Sequence, residues 1–99
     1  MNEKRQHPRR PYVAEVIVHL GGKPYAAQSR DLSIGGMFVL TSLTPAFGTD
    51  VTIELVLPNV GATKIGAVVR WTTPDGFGVQ FGVFGARETN AISSLIADV

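Results

Sequence analysis

Basic side chains are concentrated near the start of the chain. The segment Lys4-Arg5-Gln6-His7-Pro8-Arg9-Arg10 contains four of the nine Lys and Arg residues. In an extended segment Arg5 and Arg9 can reach the same side of the chain, and Pro8 stiffens the approach to Arg9. A guanidinium group donates two parallel hydrogen bonds, which suits phosphate oxygens and the O6/N7 edge of guanine. The spacing therefore predicts a clamp for a phosphate or guanine ligand, and the alternative is a solvated basic terminus.

A second polar cluster has the sequence Asp31-Leu32-Ser33-Ile34-Gly35-Gly36. Asp31 and Ser33 are two positions apart at a predicted strand end, where side chains at this spacing share a face. A carboxylate can accept hydrogen bonds from N1 and N2 of guanine, and a hydroxyl can serve a phosphate or a base nitrogen. Glycines allow a ligand to approach the backbone closely, which would let Gly36 complete the edge. The alternative is an ordinary turn, in which Asp31 and Ser33 bond neighbouring backbone groups and the glycines adopt positive φ.

The elements that must position these residues are mostly strands. Apolar and polar residues alternate along much of the chain, and Gly and Pro interrupt the alternation at intervals. From Ala86 the apolar residues change to helical spacing, with a stripe that includes Ile92 and Leu95. The predicted strands are residues 12–20, 25–31, 37–40, 50–57, 64–73 and 78–84.

The number of short strands predicts a closed sheet. Six strands in 99 residues would expose long edges unless the sheet closes on itself, so we expect a small antiparallel barrel with the helix over one opening. The length suits a single domain. Within it, we assign residues 1–11 to a basic arm, 12–84 to the barrel and 86–97 to the helix.

The composition excludes several classes of protein. Nine Lys and Arg residues against eight Asp and Glu give a formal net charge of +1, too small for wholesale capture of nucleic acid or of an anionic membrane. Because cysteine is absent, disulfides and thiolate chemistry are excluded, and His7 and His19 are too few to hold a structural zinc alone. No segment has the composition of a signal peptide or a membrane span, so we expect a cytoplasmic protein with no membrane insertion.

Enzymatic activity is not expected. Ser33, Asp31 and His7 supply the residue types of a hydrolase triad, but Ser33 lies on no strand-to-helix turn and His7 belongs to the arm. Asp31, Asp50 and Asp75 fall on different loops, without the spacing of a two-metal site. We therefore predict no catalytic residue, no metal ligand and no cofactor.

Two classes of binding protein remain as alternatives to a nucleotide receptor. Small barrels can bind single-stranded nucleic acid through a basic groove and aromatic platforms, and this chain has five Phe, two Tyr and one Trp. These aromatics mostly fall on apolar alternating faces, and Trp71 is expected in the core or at the rim of the barrel. The other alternative is a protein-interaction adaptor that needs no ligand.

The two polar motifs together resemble the PilZ domain family. Arg5-x-x-x-Arg9 is followed by Asp31-x-Ser33-x-x-Gly36 and then by a hairpin that contains Trp71, and the resemblance covers nearly the whole chain. It implies a six-stranded antiparallel barrel with a C-terminal helix, and a surface site for the bacterial second messenger cyclic di-GMP (c-di-GMP).

The resemblance also assigns roles within that site. In the family, the two arginines clasp phosphates and guanine bases, and the Asp, Ser and Gly of the second motif read a guanine edge. These roles fall on Arg5, Arg9, Asp31, Ser33 and Gly36, so every motif position is filled. Supplementary contacts are assigned to Lys4, Arg10, Arg30 and Gly35.

The resemblance further implies a signalling role without catalysis. Family members that hold two stacked nucleotides often carry another Arg just before the first motif, and Lys4 takes that place here, which leaves one or two ligands per chain open. We expect the arm to become ordered when the nucleotide binds and so to change a surface for a partner protein. That partner is unidentified, and the resemblance points to motility, secretion, pilus or exopolysaccharide systems.

Overall fold

The computed structural model describes residues 10–83 and 85–96. Within these ranges the chain forms seven strands and one helix. The strands are β1 (Arg10–Pro11), β2 (Glu15–Leu20), β3 (Lys23–Leu32), β4 (Gly36–Leu40), β5 (Asp50–Leu57), β6 (Gly61–Thr73) and β7 (Gly76–Phe81), and the helix is α1 (Ala86–Ile96).

Six of the strands close into an antiparallel barrel. The sheet runs in the order β3, β2, β5, β6, β7, β4, and pairing of β4 with β3 closes it. β1 is a short addition that pairs with the end of β3. Closure leaves the barrel strands without a long open edge, which is the reason a closed sheet was predicted. The predicted barrel and C-terminal helix are confirmed.

Alternation along the strands forms the core. In β5 the side chains of Val51, Ile53, Leu55 and Leu57 are buried, whereas the intervening residues are partly or fully exposed. Side chains that point to one face of each strand thus fill the barrel, because successive residues of a strand face opposite sides. The helix contributes Ala91 and Ile92 to the same core cluster.

The start of the barrel differs from the sequence prediction. We expected one strand over residues 12–20, but regular pairing of β2 begins at Glu15, and residues 12–14 form no strand. Arg10 and Pro11, which the sequence analysis assigned to the basic arm, instead form β1 opposite Leu32 and Asp31. The break arises where three residues of one segment face only two residues of β3, so the ladder cannot continue regularly.

Two bulges bend the strands on one side of the barrel. Arg30 is the extra residue of β3 against β4, because Ser29 pairs with Val39 and Asp31 pairs with Phe38. Arg70 is the extra residue of β6 against β7. Bulges increase local twist and redirect side chains, and these two redirect side chains beside the second polar motif.

No helix within the described ranges is long and apolar enough to cross a membrane.

Candidate functional site

The basic arm enters the barrel beside the second motif. Arg5, Arg9 and Lys4 lie outside the described residues. Arg10 is exposed and pairs with Leu32, and Pro11 pairs with Asp31. The two residues that directly follow the first motif in sequence therefore lie next to Leu32 and Asp31.

The Asp31 carboxylate is half-buried and positioned by backbone and charge. Its Oδ1 accepts a hydrogen bond from the backbone N–H of Phe38 at 3.2 Å. Its Oδ2 lies 3.6 Å from Nε of Arg30. The Asp31 side chain is 17% exposed and that of Arg30 is 52% exposed, so the pair lies at the surface. The carboxylate is thus held in one place and remains partly exposed to solvent.

The Ser33 hydroxyl holds the motif loop, residues 31–36, in a tight turn. Its Oγ accepts hydrogen bonds from the backbone N–H groups of Gly35 and Gly36, both at 3.1 Å. The backbone N–H of Ser33 donates to the carbonyl oxygen of Gly36 at 2.8 Å. Ser33 is buried, as few serines are. These bonds are those expected of the ordinary-turn alternative for this residue, so Ser33 shapes the loop whatever else it contacts.

Gly36 is required by the packing of β4 against β7. A Cβ atom at this position would lie 2.0 Å from the carbonyl oxygen of Val79. Neither Gly35 nor Gly36 has a positive φ, so the turn alternative is wrong about why the glycines are there. Gly35 contributes its carbonyl oxygen, which accepts from the backbone N–H of Phe81 at 2.8 Å. The predicted approach of a ligand to the Gly36 backbone stays a prediction.

An aromatic row crosses four strands beside the motif loop. Asp31 pairs with Phe38, Phe38 pairs with Gly78, and Gly78 pairs with Trp71. We call these four residues, one on each of four neighbouring strands, the aromatic row. The Trp71 ring lies over Gly78, where a Cβ atom would be 2.0 Å from Cε2 of the indole. The rings of Phe38 and Trp71 are stacked with centroids 6.4 Å apart. Trp71 is 38% exposed and lies outside the core cluster, so it does not fill the barrel.

The guanidinium of Arg30 covers the other side of Phe38. Its Cζ atom lies 3.9 Å from the centroid of the Phe38 ring, a cation–π contact. Phe38 is fully buried although Met37 and Val39, its neighbours in β4, face the opposite side of the strand in the core cluster. Sequence reasoning missed Phe38, and the only available signal was Gly78, since a glycine inside a strand often marks a close approach.

A second arginine lies across the barrel strands from the motif loop. Nε of Arg70 donates to Oε1 of Gln80 at 2.8 Å, and Gln80 pairs with Gly36. The Arg70 guanidinium is 5.8 Å from the ring of Phe47, which is 70% exposed. The bulges thus supply Arg30 on one side of the aromatic row and Arg70 on the other.

An apolar groove of about 720 Å³ lies elsewhere on the barrel. It forms where β2 and β5 diverge, because their pairing extends only from His19 and Thr52 to Ile17 and Glu54. The charged residues that line it are both acidic, Glu15 and Glu54. Oε1 of Glu54 lies 2.9 Å from Nε2 of His19. The groove therefore does not suit a phosphate-bearing ligand.

The fold and the motif loop together define a class of protein, namely a small closed antiparallel barrel with a helix over one end and a polar motif at its rim. The family model described as the PilZ domain matches residues 3–98. The chain belongs to the PilZ domain family.

Solved structures with the same fold come from several bacterial proteins. The Bacillus subtilis inhibitor of motility MotI/DgrA superposes with a TM-score of 0.79 at 20% identity, over 97% of this chain and 51% of that one. The PilZ domain of CeSA from a cellulose-synthesizing bacterium gives 0.72 at 20% identity, over 91% and 95%. PlzA of Borreliella burgdorferi, solved in complex with c-di-GMP, gives 0.75 at 16% identity, over 94% and 41%.

These similarities establish the fold. The chain spans about half of MotI/DgrA and less than half of PlzA, and it covers nearly all of the CeSA domain. Among curated proteins, no sequence similar to the chain was found.

Proposed function

We propose that this domain is a c-di-GMP receptor that acts through a partner protein. The observation that carries the proposal is the β1–β3 pairing, in which Pro11, two positions after Arg9 in sequence, lies opposite Asp31 of the second motif. We therefore propose that two motifs about twenty residues apart in sequence meet at one rim of the barrel. The complex of the structurally similar PlzA with c-di-GMP supports this choice of ligand.

The proposed contacts follow from the chemistry of each group. Arg5 and Arg9 donate bidentate hydrogen bonds to the phosphates and to the guanine O6/N7 edge. Asp31, whose side chain is 17% exposed, accepts from guanine N1 and N2. At most about 17 Å of extended chain separates the Cα atoms of Arg5 and Arg10, so both arginines can reach the motif loop.

The remaining predicted residues complete the proposed site. Arg10 lies at the entry of the arm, and Lys4 adds a positive charge beyond it. Arg30 is committed in part to Phe38 and Asp31, which places its guanidinium at the edge of the site. Ser33 and Gly36 contact the guanine edge through the hydroxyl and the backbone, with Gly35 as a supplementary contact, and the bonds of Ser33 to both glycines hold the shape of the loop.

The proposed output is a change of surface. When the arm closes on the nucleotide, a basic segment becomes part of the barrel rim, and a partner protein reads the new surface. The partner is a protein of a motility, secretion, pilus or exopolysaccharide system. We propose further that the domain works in the cytoplasm and turns over no substrate, so prolonged incubation with c-di-GMP should yield no linear dinucleotide.

Calorimetric titration tests the proposal. We expect saturable binding of c-di-GMP near physiological salt, with no competition from GTP or cyclic di-AMP. Because a hydrogen bond to a charged group is worth about 1.5–3 kcal/mol, Arg9→Ala should weaken binding roughly ten- to a hundredfold. Lys64→Ala is the matched control, since Lys64 pairs with Glu54 on β5, away from the motif loop.

Two results would contradict the proposal. If the wild-type protein binds no c-di-GMP, the receptor function fails. If Arg9→Ala and Lys64→Ala bind as tightly as the wild type, the protein is a receptor but the arm is not part of its site. The titration also gives the number of nucleotides per chain.

The apolar groove supports a second candidate, a ligand-independent adaptor. Ile17 and Val56 expose 36% and 68% of their surface there, and the divergence of β2 and β5 leaves room for a partner side chain. Single-stranded nucleic acid is disfavoured at this surface, because Glu15 and Glu54 would repel its phosphates.

A further inference from the structure

Ser29 lies outside both motifs, yet its side chain is unusual. It is a fully buried polar residue within β3, two positions before Asp31. Buried hydroxyls are retained when they satisfy a backbone group that has no other partner. The bonds of Ser29 therefore indicate what the residue holds together.

All of the bonds of the Ser29 hydroxyl go to the segment that joins β1 to β2. Its Oγ donates to the carbonyl oxygen of Tyr12 at 2.6 Å and accepts from the backbone N–H of Ala14 at 3.0 Å. Its own backbone N–H donates to the carbonyl oxygen of Ala14 at 2.8 Å. On the far side of the bulge, the N–H of Tyr12 donates to the carbonyl oxygen of Arg30 at 3.0 Å.

These bonds lie where the strand ladder is interrupted. β1 pairs with Asp31 and Leu32, and β2 resumes pairing at Gln28. Residues 12–14 must therefore span a stretch of β3 that holds only Ser29 and Arg30. The hydroxyl supplies the partners that a regular ladder would have supplied. Without it, the register between β1 and β3 would depend on the two paired residues of β1 and on the backbone bonds of Tyr12 with Arg30 and of Ser29 with Ala14.

We propose that Ser29 is a positioning residue for ligand binding: its hydroxyl fastens residues 12–14 to β3 and so fixes where the basic arm meets Asp31. This inference rests on the proposed receptor function. A slip of one residue between β1 and β3 would turn Arg10 and the preceding side chains to the other face, because side chains alternate along a strand. The motif arginines would then leave the motif loop.

Amide hydrogen exchange tests the fastening without any ligand. In the wild type, the amides of Tyr12 and Ala14 should be protected. Ser29→Ala should abolish the protection of Ala14, whose N–H loses its acceptor, and should lower that of Tyr12, whose N–H keeps the Arg30 carbonyl in a loosened segment. The core amides of Val18 and Ile53 should keep their protection. If Tyr12 and Ala14 exchange at the same rate in the wild type and in Ser29→Ala, the hydroxyl does not hold this segment and the inference is wrong.

A double-mutant cycle tests the consequence for binding. Ser29→Ala should weaken c-di-GMP binding about tenfold, as expected for the loss of one or two net hydrogen bonds. In an Arg9→Ala background the same change should lower c-di-GMP affinity about threefold or less. An arm that lacks the Arg9 guanidinium contributes less to binding, so its correct placement matters less. A full tenfold loss in both backgrounds would show that Ser29 acts independently of the arm, and would overturn the inference.

Two further variants serve as controls. Thr63→Ala removes a comparable bond, from Oγ1 of Thr63 to the carbonyl oxygen of Gly61 at 3.0 Å, and should leave binding and the exchange of Tyr12 and Ala14 unchanged. If Ser29→Ala does not fold, Ser29→Cys keeps the side-chain volume with a weaker donor and should show the same changes. If the wild type binds no c-di-GMP, the proposed receptor function and the role of Ser29 in binding are both wrong. The exchange experiment then still decides whether Ser29 holds residues 12–14 against β3.

Discussion

Gly36 offers the sharpest test of how the motif loop is built. From the sequence, Gly36 is explained by the close approach of a ligand to its backbone. In the structure, the reason is the close approach of the Val79 carbonyl oxygen in the neighbouring strand. In Gly36→Ala the new methyl group would lie 2.0 Å from the carbonyl oxygen of Val79, and real contacts of this kind are not found below 3.0 Å. β4 and β7 would therefore have to separate by about 1 Å. The oxygen belongs to the backbone, so it cannot rotate away.

The size of the effect can be estimated from this displacement. Overpacking a well-packed site costs about 1–3 kcal/mol, and a backbone contact between paired strands belongs at the upper end. In a domain of this length, 1 kcal/mol corresponds to about 4–8 °C in Tm. We therefore expect Gly36→Ala to lower Tm by about 12–24 °C.

Gly66→Ala is the matched control, because Gly66 lies within β6 and a Cβ atom there would meet nothing within 4 Å. This change should raise stability slightly, by about 0.4–1 kcal/mol, since alanine loses less backbone entropy on folding. Thermal melting followed by circular dichroism, without ligand, compares the two variants with the wild type. If Gly36→Ala has the same Tm as the wild type, packing of β4 against β7 does not require a glycine at this position.

Three other changes probe the aromatic row and its neighbours. Gly78→Ala should push the Trp71 ring off the strand and shift its fluorescence to the red, and an unchanged spectrum would contradict the close approach of Trp71 to Gly78. Arg30→Ala should expose the Phe38 ring and lower the free energy of unfolding by about 1–2 kcal/mol in a urea melt, and Arg30→Lys should have an intermediate effect. If Arg30→Ala has the same urea midpoint as the wild type, Arg30 does not protect the ring. Asp31→Asn keeps an oxygen acceptor for the Phe38 N–H, so the fold should persist while c-di-GMP affinity measured by calorimetry falls about tenfold; wild-type affinity would exclude a charged role for Asp31.

The barrel could be predicted from the sequence because its pattern is local. Alternation in residues 50–57 and the change to helical spacing after Ala86 are visible in the chain, and the structure has β5 and α1 at these places. Strand ends differ by a few residues, as for β6, which begins at Gly61 and not at residue 64. Such ends depend on pairing with β5, which a single strand does not encode.

The details of the candidate site could not be predicted in the same way. The bulge at Arg30, the Ser29 hydroxyl bonds and the contact of Gly36 with Val79 each join segments that are far apart in sequence. Nothing in residue types or spacing distinguishes a glycine required by a neighbouring strand from one required by a ligand. The motif positions could be recognised by resemblance, but the physical reason for each needs the folded chain.

The most direct test of the central claim is to locate c-di-GMP on the protein by NMR. If c-di-GMP binds at the motif loop, titration with the nucleotide should shift the amide signals of residues 31–36, of Arg10 and of the Trp71 indole. The apolar groove between β2 and β5, reported by Ile17 and Val56, should stay unchanged. Shifts centred on the groove, or no shifts at saturating nucleotide, would contradict a ligand site built from the arm and the motif loop.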